Sequence, residues 1–212
     1  MMNKDFEKNG YVFRKNFVEP DIAKLLSIQF NYMFYNDEGI FDTQVPGSYF
    51  FYSTPQLDLL QFLKLSEIES IVGKKLYPTY NFVRVYYKGQ ELVSHTDRNE
   101  CEYSFTLQLS KDGDWPFLIQ GYKDTEMVSY EMDPGDCIVY DGTKLEHCRK
   151  ECPVDWYLQA FVHYVDANGP HKHTAYDGRD FNIPISFERK QQESNKEIEN
   201  ANRLFNSVST KS

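Results

Sequence analysis

Residues 77–87 read YPTYNFVRVYY, and ELVSH follows at 91–95. Aromatic and β-branched side chains fill the first run, and Lys88, Gly89 and Gln90 break it before the second. The stretch therefore predicts two strands joined by a turn. The same texture continues through CEYSFTLQLS, PFLIQG, EMVSYEM, DCIVYD, KLEHC and WYLQAFVHYV, with breaks such as KDGDWP and DPGD between them. Short strands at this spacing predict an antiparallel barrel or sandwich over residues 76–165.

Upstream the period changes. Residues 19–35, EPDIAKLLSIQFNYMFY, predict a helix with Pro20 in its first turn and Ile22, Leu25, Leu26 and Met33 on one face. Residues 55–72, PQLDLLQFLKLSEIESIV, predict a second helix closed by Gly73. Helices followed by strands give a mainly β fold with flanking helices (α+β), the helices packed on one outer face of the sheet. Between the helices, DEGIFDTQVPGSYFFYSTP reads either as a loop packed on the core or as a lid over a pocket. After residue 185, the charged stretch FERKQQESNKEIENANRLFNSVSTKS predicts a terminal helix or tail. The expected organisation is a single domain over 1–185 and a charged segment over 186–212.

A chain of 212 residues, 41% hydrophobic and 16% aromatic, is long and apolar enough for a substantial core. Its net charge of −9 argues against nucleic acid, whose phosphates require Lys and Arg contacts. MMNKDFEKNGYVF has no apolar signal core, and no run approaches a membrane span of about 20 apolar residues. The cysteines at 101, 137, 148 and 152 form no CxxC pair, so the expectation is a cytoplasmic chain with reduced thiols.

The chemistry concentrates in SHTDRNE, residues 94–100. On a strand, residues i and i+2 share a face, so His95 and Asp97 can aim at one point. His147 in KLEHCRKE lies fifty residues beyond Asp97 and must arrive from another strand. Two imidazoles and one carboxylate on one side of an ion leave about three positions open, the facial triad of non-haem Fe(II) oxygenases. A structural zinc site would be closed by four protein ligands.

RVYYKGQELVSHTD, residues 84–97, resembles the strand-turn-strand of prolyl-4-hydroxylase-type 2-oxoglutarate/Fe(II) dioxygenases. That family has a tyrosine nine residues, and a glycine six residues, before its first metal histidine; Tyr86 and Gly89 stand there. PGDCIVYDGTKLEH, residues 134–147, resembles the family's Gly-Asp turn and the strand before its second histidine. The resemblance covers residues 76–165. It implies a double-stranded β-helix, the cupin-like jelly roll, with His95, Asp97 and His147 as metal ligands and catalytic centre. It also implies Fe(II), 2-oxoglutarate and O2 in a hydroxylase acting on a small-molecule or peptidyl substrate.

One feature departs from that family, which usually places an Arg or Lys about ten residues after the second histidine to pair the distal carboxylate of 2-oxoglutarate. Here PVDWYLQ, residues 153–159, carries no cation. Alternation offers Arg149, two past His147, and Arg84, two before Tyr86, as replacements. Thr106 and Gln108 alternate inward together and could hydrogen-bond the same carboxylate. Alternatively, the arginines pair with local acids such as Glu146 or Asp141. Arg98 either meets a substrate anion or pairs with Glu100 or Glu102. Trp115 and Tyr140 read as core, His163 as a hydrogen-bonded sheet histidine, and His171 and His173 as surface. Cys148 reads as facing away from the ligands. The competing functions are a non-catalytic jelly-roll metal-binding module that has lost cosubstrate binding, and a cupin-like metalloenzyme with no cosubstrate.

Overall fold

Every run predicted as a strand between residues 76 and 165 is a strand in the structure, a computed structural model that describes residues 2–36 and 39–179. The predicted charged tail at 186–212 lies outside the described residues. The runs form β4 (Leu76–Tyr87), β5 (Leu92–His95), β6 (Tyr103–Lys111), β7 (Phe117–Ile119), β8 (Val128–Tyr130), β9 (Cys137–Asp141), β10 (His147–Arg149) and β11 (Trp156–Asp166). Three strands precede them: β1 (Tyr11–Arg14), β2 (Ile40–Phe41) and β3 (Tyr49–Tyr52). The helices are α1 (Lys4–Asn9), α2 (Pro20–Tyr35) and α3 (Pro55–Val72).

The strands make two antiparallel sheets, a seven-stranded one in the order β1-β9-β6-β11-β4-β3-β2 and a four-stranded one in the order β5-β10-β7-β8. Together they form a jelly roll. Side-chain alternation in the long strands separates two environments. Val83, Phe105, Leu107, Leu158, Ala160 and Val162 share one buried core with Phe30, Leu57 and Leu60 of the helices. The opposite parity gives Tyr86, Tyr157 and Phe161, which belong to a separate cluster with Leu92 and Trp115. The helices thus cover one outer face of the large sheet, and its inner face is free to carry chemistry.

Three features differ from the sequence reading. In α2 the buried residues are Ala23, Leu26, Ser27 and Phe30, whereas Ile22 and Leu25 are 44% and 61% exposed. Apolar residues line more than one side of this helix, so periodicity alone does not choose a face. The contact is fixed by a hydrogen bond from Ser27 Oγ to Ser110 Oγ of β6 at 2.6 Å. The stretch between the helices is neither a plain loop nor a free lid: β2 pairs with β3, and β3 pairs with β4 to extend the sheet. The first residues also fold. Asn3 Oδ1 caps α1 by accepting from the amides of Asp5 and Phe6, and Gly10 ends it at φ 79°. This turn delivers β1 to the edge strand β9.

Candidate metal centre

Strands β5 and β10 are antiparallel neighbours with His95 directly opposite His147, and their ring centroids are 4.4 Å apart. Asp97 follows β5, where its amide donates to the Gly142 carbonyl at 2.7 Å. A Cβ at Gly142 would lie 2.4 Å from Asp97 Oδ2 and 2.3 Å from the Cys101 carbonyl oxygen, so only glycine permits this approach. Asp97 Oδ1 lies 3.7 Å from His95 Nε2 and 3.5 Å from His147 Nε2.

Both imidazoles are oriented by the same device. His95 Nδ1 lies 2.8 Å from the Val93 carbonyl, and His147 Nδ1 lies 2.9 Å from the Leu145 carbonyl. A carbonyl only accepts, so each Nδ1 carries the proton and each Nε2 keeps a lone pair facing Asp97. Burial and the neighbouring His147 lower the His95 pKa, which favours the neutral ring that metals need. Burial by itself would raise the Asp97 carboxyl, but the neighbouring imidazoles, His147 first, hold it below its ordinary value, in the ionised form that ligation needs. The donor set therefore fits a divalent cation with open positions.

A cavity of about 420 Å³ opens over these three side chains. Its wall is aromatic, with Phe50, Tyr52, Tyr80, Phe82 and Phe161 among the lining residues. Tyr86 lines it too, and burial pushes its hydroxyl up to about 12, so it stays a proton donor. Arg84 is in the wall but is engaged: its guanidinium makes a two-pronged pair with Asp42, the NH1 arm at 3.1 Å, and lies 4.9 Å from the Phe50 ring centroid. The acid is thus Asp42, not the expected Asp141 or Glu146. Arg98 lies against the Tyr80 ring at 4.6 Å, donates from Nε to the Tyr80 hydroxyl at 3.1 Å, and stands 3.7 Å from Glu100. It thus makes the expected pair with Glu100, and it also lines the cavity.

Arg149, Thr106 and Gln108 face inward but stand behind the cavity wall. Arg149 is 1% exposed and sandwiched among Trp115, Phe117 and Tyr157. It donates to the Trp115 carbonyl and, at 3.4 Å, to the Tyr157 hydroxyl, and its Nε has no partner. Among the described residues no carboxylate lies within ion-pair distance of it, although a buried charge requires compensation. Tyr157, whose hydroxyl this guanidinium touches, stands ten residues after His147. Thr106 Oγ1 accepts from Gln159 Nε2, and Gln108 Nε2 donates to the Ser110 carbonyl at 2.8 Å. Gln108 Oε1 and Gln159 Oε1 are buried without partners. Of these unpartnered atoms Arg149 Nε is a donor that a carboxylate can use, whereas the two amide oxygens accept and call for a proton donor.

Two lining residues were assigned to packing by the sequence. Tyr140 is buried as expected and also lines the cavity. His163 is hydrogen-bonded in the sheet as expected, Nδ1 to Ser104 Oγ at 2.7 Å, and it too reaches the cavity. Its parity with Phe161 and Tyr157 on β11 was the available signal. All four cysteines are free, and Cys148 turns away from the ligands to approach Met127 Sδ at 3.5 Å.

Fold and site together define a jelly-roll protein with a two-histidine, one-carboxylate centre. No family model matches the chain, and no curated protein is similar in sequence. Solved structures share the fold. A prolyl-4-hydroxylase from Pseudomonas putida is 14% identical, with a TM-score of 0.62 over 76% of this chain and 95% of that one. HygX from Streptomyces hygroscopicus, with nickel and 2-oxoglutarate bound, is 12% identical, with a TM-score of 0.64 over 79% of this chain and 89% of that one. A 2OG-Fe(II) oxygenase family oxidoreductase from Burkholderia pseudomallei is 12% identical, with a TM-score of 0.61 over 84% and 97%. These likenesses establish the double-stranded β-helix. No helix among the described residues is long and apolar enough to cross a membrane.

Proposed function

We propose that this protein is a 2-oxoglutarate- and Fe(II)-dependent dioxygenase, a hydroxylase acting on a small-molecule or peptidyl substrate. The observation that carries the reading is the convergence of His95 Nε2, His147 Nε2 and Asp97 Oδ1 at the base of an aromatic cavity, with an unpaired buried arginine behind its wall. Fe(II), 2-oxoglutarate and O2 supply the oxidising chemistry, in which a substrate C–H bond gains oxygen while 2-oxoglutarate becomes succinate and CO2. The chain's own contribution is binding and orientation. His95, Asp97 and His147 hold the metal on one side only. Arg149 supplies the charge for the distal carboxylate, and the Tyr86 hydroxyl supplies a hydrogen bond. Arg84 is less available, because Asp42 already occupies its fork. The aromatic walls exclude water around the reacting bond, and Arg98 orients an anionic group at the mouth.

The test is 2-oxoglutarate titration of the Fe(II) protein together with succinate formation. A charge-assisted hydrogen bond contributes about 1.5–3 kcal/mol. Arg149→Met should therefore weaken binding roughly 10- to 100-fold, at about 1.4 kcal/mol per decade. Arg149→Lys should recover part of it, because a point charge does not match the fork. A loss confined to Arg84→Met would transfer the anchoring role to Arg84. No binding by wild type would leave a metal-binding module without cosubstrate.

A further inference from the structure

The cavity holds a second set of ligand-bearing side chains that the proposed oxygenase chemistry does not use. Asp97, Cys101 and His163 offer a carboxylate oxygen, a thiol sulfur and a ring nitrogen, all within 4.8 Å of one another. The His95, Asp97 and His147 atoms meet the same limit. His163 is 2% exposed and lines the cavity, yet its Nε2 has no hydrogen-bond partner. Buried polar atoms are ordinarily satisfied, so a lone ring nitrogen beside a cavity points to something that it binds. Cys101 is equally buried, and its sulfur lies 3.0 Å from the Tyr80 hydroxyl. The two oxygens of Asp97 face different neighbours: Oδ1 faces His95 and His147, and Oδ2 accepts from Ser104 Oγ at 3.3 Å. Ser104 in turn touches His163, so Oδ2 lies on the His163 side.

We propose that Asp97, Cys101 and His163 form a second metal position, for a thiophilic divalent cation of the zinc class, which shares Asp97 with the oxygenase centre. Thiolate, imidazole and carboxylate together are the donor set that such cations prefer. Bonds of about 2.0 Å to nitrogen and 2.3 Å to sulfur hold ligand atoms closer together than 4.8 Å, so the side chains close on the ion as it binds. Binding is a ligand exchange with no change of oxidation state. The Cys101 S–H proton leaves to the buffer, and the freed sulfur lone pair forms the metal bond. The Tyr80 hydroxyl then donates to the thiolate. Because Asp97 offers one oxygen to each position, both can fill at saturating metal, but a cation held here takes a share of the carboxylate's charge and weakens the hold on Fe(II). That competitive consequence rests on the proposed oxygenase reading, whereas the second position itself does not.

Cobalt(II) titration of the metal-free full chain tests both parts. Bound metal is counted after dialysis, and a thiolate-to-cobalt charge-transfer band in the near ultraviolet reports sulfur ligation. Wild type should take up two equivalents, one of them accompanied by the band. Cys101→Ser and His163→Phe should each lose the band and one equivalent and keep the other. His147→Ala should keep the band with one equivalent, and Cys148→Ser should keep everything. A band that survives Cys101→Ser, or a wild type that never shows one, overturns the second position. A band with a single equivalent in wild type would support the second position and remove the oxygenase centre instead. In wild type zinc should weaken Fe(II) uptake, and in Cys101→Ser it should not.

Discussion

Each histidine facing Asp97 commits its Nδ1 to the carbonyl two residues before it, Val93 for His95 and Leu145 for His147. The imidazoles are therefore oriented by their own strands and do not depend on Asp97 for their tautomer. Asp97 is a largely buried carboxylate whose proposed role is ligation, and its removal also removes a buried charge. Asp97→Ala should accordingly fold, with unchanged far-ultraviolet circular dichroism, and lose bound Fe(II) and all turnover. Retained turnover would exclude the centre. At this scale the clustering of His95, Asp97 and His147 was legible because strand alternation is local: His95 and Asp97 are two apart, and inward parity is set by the same rule. The partner of Arg84 was not legible. It is Asp42, which lies 42 residues away in sequence, and no local pattern encodes that pairing.

At the scale of elements, strands and helices differed in how much the sequence told. Strands β4, β6 and β11 alternate between a helix-facing core set and an inward polar and aromatic set, so each residue's side follows from one neighbour's. The α2 helix carries two apolar stripes. One, through Ala23, Leu26 and Phe30, meets the sheet, and the other, through Ile22, Leu25, Ile28 and Tyr32, is exposed. Hydrophobic periodicity cannot rank them, because it measures amphipathicity and not which stripe is covered. Stability measurements separate them. Leu26→Ala deletes a buried side chain and should cost about 2–5 kcal/mol. Leu25→Ser should change stability by about 0.5 kcal/mol or less, as surface substitutions do. Equal losses in denaturant unfolding would mean that the exposed stripe is covered in solution.

Across the whole molecule, the β2–β3 hairpin extends the sheet beside β4 and contributes Phe50 and Tyr52 to the cavity wall. Its backbone pairing is short, so side-chain contacts with the barrel matter. Ser48 Oγ donates to the Val85 carbonyl at 2.6 Å, and Asp42 grips the fully buried Arg84. Burial alone would raise the Asp42 carboxyl; the hydrogen bond and charge of Arg84 hold it below the ordinary 3.8. A carboxyl depressed on folding contributes stability that is complete above its unfolded value and is lost as pH falls through the folded one. The pair should therefore hold the hairpin throughout neutral pH and weaken only below about pH 4. Asp42→Asn removes the charge at every pH and leaves Arg84 with a neutral partner. Because hydrogen bonds to charged groups contribute about 1.5–3 kcal/mol, the variant should lose roughly that much near pH 7. Its deficit relative to wild type should shrink as pH is lowered below about 4, where the unfolded chain takes up a proton that the folded Asp42 resists. Hydrogen exchange should show the loss first in the amides of residues 40–52, with β6 and β11 still protected. If the deficit were the same at pH 3 and pH 7, the Asp42 charge would not be what holds the hairpin to the barrel.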